Sequence, residues 1–68
     1  MLFRSEVVPV LVRMVGDSDW DIRYSAIQML GRIGPAARAA IPALVVAQDD
    51  RFEHVRSAAA DALAKIRG

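Results

Sequence analysis

Apolar residues along this chain recur at helical spacing. Val8, Leu11, Val12 and Val15 stand at i, i+3, i+4 and i+7, and Ile22, Ala26, Met29, Leu30 and Ile33 continue the same interval. Such a stripe lies along one side of a helix and needs a neighbour to cover it. Gly16-Asp17-Ser18-Asp19 interrupts the pattern: it ends one helix and offers Asp19 as N-cap of the next. Gly34-Pro35 makes a second boundary, because glycine supplies the left-handed conformation that follows a helix and proline suits the first turn of a new one. Pro9 and Pro42 fall inside otherwise helical stretches. There a proline removes a backbone hydrogen bond and crowds the preceding turn, so a kink or a late helix start is expected at each.

The same pattern is written twice. With an offset of 33 positions Pro9 meets Pro42, Leu11 meets Leu44, Val12 meets Val45, Asp17 meets Asp50 and Arg23 meets Arg56. Ala26 then falls on Ala59, Leu30 on Leu63 and Ile33 on Ile66, without a gap. Each copy therefore holds two helices, and a repeated unit of that length buries its apolar stripe by stacking on its neighbour.

Composition narrows the possibilities. Sixty-eight residues make one small domain, and a core of that size rarely supplies more than about 3–5 kcal/mol without disulfides, metals or association. The chain has no cysteine, which removes disulfides and thiolate ligands and leaves the redox compartment open. Nine basic side chains against eight acidic ones give a net charge of +1, and Arg13, Arg23, Arg32 and Arg56 alternate with Asp17, Asp19, Asp21 and Asp61. Without a one-sided basic stripe, nucleic-acid binding is a minor reading. No stretch is expected to approach the roughly 20 apolar residues of a membrane span, and Met1 to Arg4 lacks the apolar core of a secretory signal. The expected location is cytoplasmic.

Ile41-Pro42-Ala43-Leu44, Asp50, Val55-Arg56, Ala59, Ala62-Leu63 and Lys65-Ile66 together resemble the HEAT repeat, in particular the short bacterial variety also found in phycobilisome-lyase-like proteins. The resemblance implies an all-α fold: an α-α superhelix (solenoid) fragment of two antiparallel helix pairs, four helices, in one domain over residues 1–68. Repeat one would run over 2–34 and repeat two over 35–68. Similar repeats serve scaffolds, regulators, transport factors, lyases and a few nucleic-acid enzymes, so the likeness specifies fold better than function. It also implies an Asp and Arg ladder between adjacent repeats, which assigns Asp17, Arg23, Asp50 and Arg56 to the framework. One departure stands out. Phe52 occupies the position equivalent to the capping Asp19 and cannot accept an N–H bond, so the last helix should start less firmly.

Catalysis has no visible support, and an enzyme is not expected. Ser5, Ser18, Ser25 and Ser57 lack a histidine at a plausible partner spacing. His54 is the only histidine and reads as a lone surface residue, while Asp49, Asp50 and Glu53 read as acids complementing a helix N-terminus, so no metal site and no cofactor are predicted. Binding is the better-supported class. On the second helix of repeat one Trp20, Tyr24 and Gln28 recur at i, i+4 and i+8 away from the apolar stripe, with Asp21 beside them. Repeat two presents Glu53, His54, Ser57 and Asp61 there. By resemblance the second helices line the concave face, which would make these eight residues the contact surface for another protein. Trp20 and Tyr24 either touch that partner or pack on a neighbouring helix or on Leu2 and Phe3. A chromophore lyase or ligand-binding unit is the alternative, and weak nucleic-acid binding a further one.

Repeat one is also bulkier: Val7, Val10, Met14, Ile27 and Met29 correspond to Ala40, Ala43, Ala47, Ala60 and Ala62. Large against small permits close helix approach where the repeats meet. The open ends of the stack are expected to be apolar, with Ala58 and Ala62 on one side and Val7, Val10 and Phe3 on the other. Such ends would support self-association or further repeats.

Overall fold

The computed structural model describes residues 4–68, and every element in it is helical. Helix α1 spans Arg4–Val15, α2 Trp20–Ile33, α3 Ile41–Ala47 and α4 Glu53–Arg67, and a 3-10 run over Gly34–Ala40 joins α2 to α3. No non-helical gap separates α2, the 3-10 run and α3. The described residues thus hold three continuous helical stretches, where four separate helices were expected.

The difference has a local cause. Pro35 lies in the first turn of the 3-10 run and Pro42 in the first turn of α3, the positions where a missing N–H disturbs nothing. Gly34 thus ends α2 as its C-cap, as expected, and Pro35 starts a 3-10 run in place of a loop. Gly34 adopts φ 77° and ψ −146°, a conformation open to glycine, and its N–H still donates to the Leu30 carbonyl. Ala37 departs from helical geometry a second time, at φ −95° and ψ 22°. Between the bends Gly34, Ala37 and Ala40 are buried, one residue in three, which is the stripe a helix with three residues per turn presents. The late start expected at Pro42 is thus a change of helix type. At Pro9, by contrast, α1 runs on without interruption.

Continuity also changes the reading of membrane-spanning segments. Trp20–Ala47 is long and apolar enough, by length and composition, to cross a bilayer, contrary to the expectation from the sequence. The alanines at 36–40 carry helical structure past Gly34 and connect two shorter apolar segments. The stretch is bent at Gly34 and Ala37, and it gives Ala26, Ile27, Leu30, Ala37, Ala40 and Leu44 to the protein core, where each is fully buried.

Two layers form around that core. The first helices of each copy, α1 and the 3-10 run with α3, make one layer, and α2 and α4, which pack chiefly on each other, make the second. Equivalent residues fill equivalent places: Leu11 and Leu44, Ala26 and Ala59, Leu30 and Leu63 are all buried. Full burial of a leucine is worth about 1.5–3 kcal/mol, which is large against the stability available to so short a chain.

Other equivalent pairs differ in burial, and the differences locate the ends of the stack. Ile27 is fully buried and its counterpart Ala60 is exposed; Gly31 is buried and Ala64 is exposed. In the opposite sense Ala62 is buried while Met29 is 48 % exposed. Ala58 and Ala62 accordingly lie at the junction between repeats and not on an open end. Helix α4 settles there against α2 so closely that a Cβ on Gly31 would stand 3.2 Å from the Ala62 Cα. Of the residues expected at the other end Val10 is exposed and Val7 half-buried, and Phe3 lies outside the described residues.

Candidate functional site

The two inter-helix turns are built alike. Asp17 Oδ1 accepts from the Asp19 N–H at 2.8 Å, and Asp50 Oδ1 accepts from the Phe52 N–H at 3.0 Å. Arg23 Nη1 donates to the carbonyls of Asp17 at 2.9 Å and Ser18 at 3.1 Å; Arg56 Nη1 donates to those of Asp50 at 2.8 Å and Arg51 at 3.3 Å. In each copy an arginine from the second helix thus satisfies carbonyls that the turn leaves without helical partners.

Arg23 does more than Arg56. Its Nε and Nη2 donate to Asp50 Oδ2 at 2.7 Å and Oδ1 at 3.1 Å, a bidentate bridge from repeat one into the turn of repeat two. Both side chains are largely shielded, at 13 % and 9 % exposure. The hydrogen bond from Arg23 is the chief reason that the Asp50 carboxyl is held below the ordinary carboxylate value, and the same bond raises Arg23 further. Asp17 meets Arg23 only through its backbone carbonyl.

The aromatic residues gather beside this bridge. Trp20 opens α2 and remains 40 % exposed, with ring centroids 6.4 Å from Tyr24, 5.9 Å from Phe52 and 5.7 Å from His54. The Arg23 guanidinium carbon lies 5.9 Å from the Phe52 ring centroid. Trp20 therefore packs within a cluster that crosses the repeat junction and still presents part of its ring to solvent. His54 is exposed, yet it lies against Trp20 and is not the isolated residue expected from the sequence.

Further along, α2 and α4 enclose a shallow groove of about 190 Å³ lined by Gln28, Gly31, Arg32, Ala58, Asp61, Ala62 and Lys65. Gln28 Nε2 donates to the Tyr24 hydroxyl at 3.1 Å, tying the groove to the aromatic cluster.

A protein-family model described as HEAT repeats matches residues 2–64, nearly the whole chain. The chain belongs to the HEAT-repeat family. No curated protein and no solved structure matches it. HEAT repeats generally mediate protein–protein interaction or scaffolding.

On this HEAT-repeat frame Trp20, Tyr24 and His54 meet in one cluster, and Gln28 and Asp61 line the same groove. Asp21, Glu53 and Ser57 are exposed on the same two helices and make no side-chain hydrogen bond among the described residues. Sequence reasoning missed Phe52, which it treated only as an absent cap. That residue indeed gives α4 no side-chain cap, whereas Asp19 caps α2 through the Asp21 N–H at 3.1 Å. The missed signal was positional: Trp20 aligns with Glu53, so Phe52 and His54 flank its equivalent and are placed to meet it. Among the described residues no three His, Cys, Asp or Glu side chains are grouped to hold a metal ion.

Proposed function

We propose that this HEAT-repeat chain is a non-enzymatic protein-binding module, a superhelical fragment that engages a partner with the face made by α2 and α4. The observation that carries the reading is the aromatic cluster: Trp20, partly exposed, is held by Tyr24 from its own helix and by Phe52 and His54 from the next repeat. Stiff aromatic surface of this kind gives large contact area with little side-chain entropy to lose, which is why tryptophan and tyrosine dominate interface hot spots. Beside it the groove offers Gln28, Arg32, Asp61 and Lys65 as a polar rim. At about 190 Å³ this groove is smaller than the roughly 300 Å³ at which small-molecule pockets begin, which on this face favours a protein surface; hollows of about 370–480 Å³ lie elsewhere on the chain, away from the groove.

The test is affinity capture from a native lysate of the source cell, read by quantitative mass spectrometry. Trp20→Ala and Tyr24→Ala are each expected to lose a protein set that the wild type retains, by about tenfold or more. Val46→Ser, a change at a 72 % exposed residue of α3, is expected to keep that set. Equal retention by wild type and Trp20→Ala, with unchanged helical circular dichroism, would exclude this face.

A further inference from the structure

The Arg23–Asp50 bridge is one rung of a pattern that is open on both sides. Arg56 has the same bonds to its own turn as Arg23, but among the described residues its Nε and Nη2 have no acceptor, and it is exposed. Asp17 has the same Asx bond to its turn as Asp50, but among the described residues no guanidinium reaches its carboxylate. The donor edge stands on the repeat-two end of the stack and the acceptor on the repeat-one end, so the two are complementary and cannot meet within one molecule.

The surfaces around them are complementary in shape as well. On the repeat-two end Ala60 and Ala64 lie one and two helical turns beyond Arg56 and are exposed, with Val45 of α3 44 % exposed in the other layer. On the repeat-one end Met29 is 48 % exposed and Val10 47 %, with Ser25 exposed between the turn and Met29. Within the molecule, the junction sets Ile27 and Gly31 of α2 against Ala58 and Ala62 of α4. Moved on by one repeat, Ala60 and Ala64 would meet Ser25 and Met29. Each junction then contains a single long apolar side chain, carried by the first surface inside the molecule and by the second surface between molecules, so the interhelical volume is filled in both.

We infer that a second molecule of this chain docks head to tail, its Asp17 end on the Arg56 end of the first, with Arg56 forking onto the partner's carboxylate as Arg23 does onto Asp50. Donor and acceptor patches differ, so the contact is heterologous and each added molecule presents a fresh end. The docking residues include none of the aromatic cluster of Trp20, Tyr24, Phe52 and His54. Head-to-tail docking therefore stands or falls independently of partner capture.

Analytical ultracentrifugation of the full chain over a wide concentration range tests it. The wild type is expected to form a concentration-dependent series of species larger than a dimer. Met29→Glu blocks one end and Ala60→Glu the other, and both substitutions lie on exposed helical surface outside the turns. Each variant alone is expected to be monomeric with wild-type helical circular dichroism. Their equimolar mixture is expected to form a one-to-one dimer and nothing larger, because only one competent pair of ends remains. Arg56→Gln is expected to weaken association by about tenfold or more, and Trp20→Ala to leave it unchanged. A wild type that stays monomeric at millimolar concentration would overturn the inference. So would symmetric dimers of either blocked variant, or a mixture that remains monomeric.

Discussion

The turn after α1 and the turn after α3 make the same backbone bonds with different side chains around them. Asp17-Ser18-Asp19 and Asp50-Arg51-Phe52 each place a carboxylate on the N–H two residues on, and each receives one arginine Nη1 on two carbonyls. Yet the first turn caps its helix with Asp19, and the second ends in Phe52, whose ring packs against Trp20 instead. What recurs in both copies satisfies turn backbone groups that have no helical partners. What differs serves the faces that the copies do not share.

The sharpest way to break this comparison is to exchange residues at equivalent positions on opposite sides of the stack. Ile27→Ala removes a fully buried side chain and is expected to cost about 2–5 kcal/mol, on the order of the whole stability of so short a chain, so most molecules should be unfolded. Ala60→Ile, the same exchange in reverse on an exposed surface, should change the unfolding free energy read from urea titration by no more than about 0.5 kcal/mol. Gly31→Leu comes next. A Cβ there already meets the Ala62 Cα at 3.2 Å, and overpacking of this kind costs about 1–3 kcal/mol, whereas Ala64→Leu should be nearly neutral in the same measurement.

Asp19→Ala should destabilise by about 0.5–2 kcal/mol through loss of the α2 cap, read from urea unfolding. Phe52→Ser sharpens the contrast, since it adds a cap to α4 but removes the ring from Trp20 and Arg23. Its net change should therefore be smaller than the loss from Asp19→Ala.

The smallest expected effect is in acid. Asp50 is depressed chiefly by the Arg23 hydrogen bond, so its contribution is fully present above the ordinary carboxylate value and is lost as pH falls through the lower value it has in the folded chain. Thermal unfolding followed from about pH 5 to about pH 2 should show a steeper fall for wild type than for Asp50→Asn, which has no carboxylate to protonate.

Periodicity and the unbroken 33-residue register make the helical stripes and their pairing legible in the sequence, because equivalent core positions such as Leu30 and Leu63 face the same surroundings. The path of the chain between α2 and α3 was not legible. Gly34-Pro35 shows where α2 ends but not that the link to α3 is itself wound, which rests on the three-residue stripe of Gly34, Ala37 and Ala40 finding a surface to cover. Ala58 and Ala62 were assigned to the wrong side of α4 for a related reason. Alanines at 58, 59, 60, 62 and 64 lie on both sides of the buried stripe of α4, so only the close approach at Gly31 tells which side is covered. The candidate binding strip was legible residue by residue, but its linkage was not. Trp20 reaches Phe52 and His54 across a junction whose register depends on Arg23 and Asp50.

The 3-10 run has a consequence in length. A 3-10 helix rises about 2.0 Å per residue and an α-helix about 1.5 Å, so each residue of Gly34–Ala40 that keeps 3-10 geometry reaches about 0.5 Å farther than it would if wound as α. Rewinding those turns as α would shorten the link between α2 and α3 and rotate Ala37 and Ala40 off their shared stripe. The spacing between the two turns that Arg23 ties together is thus set by the pitch of a segment that contains neither of them.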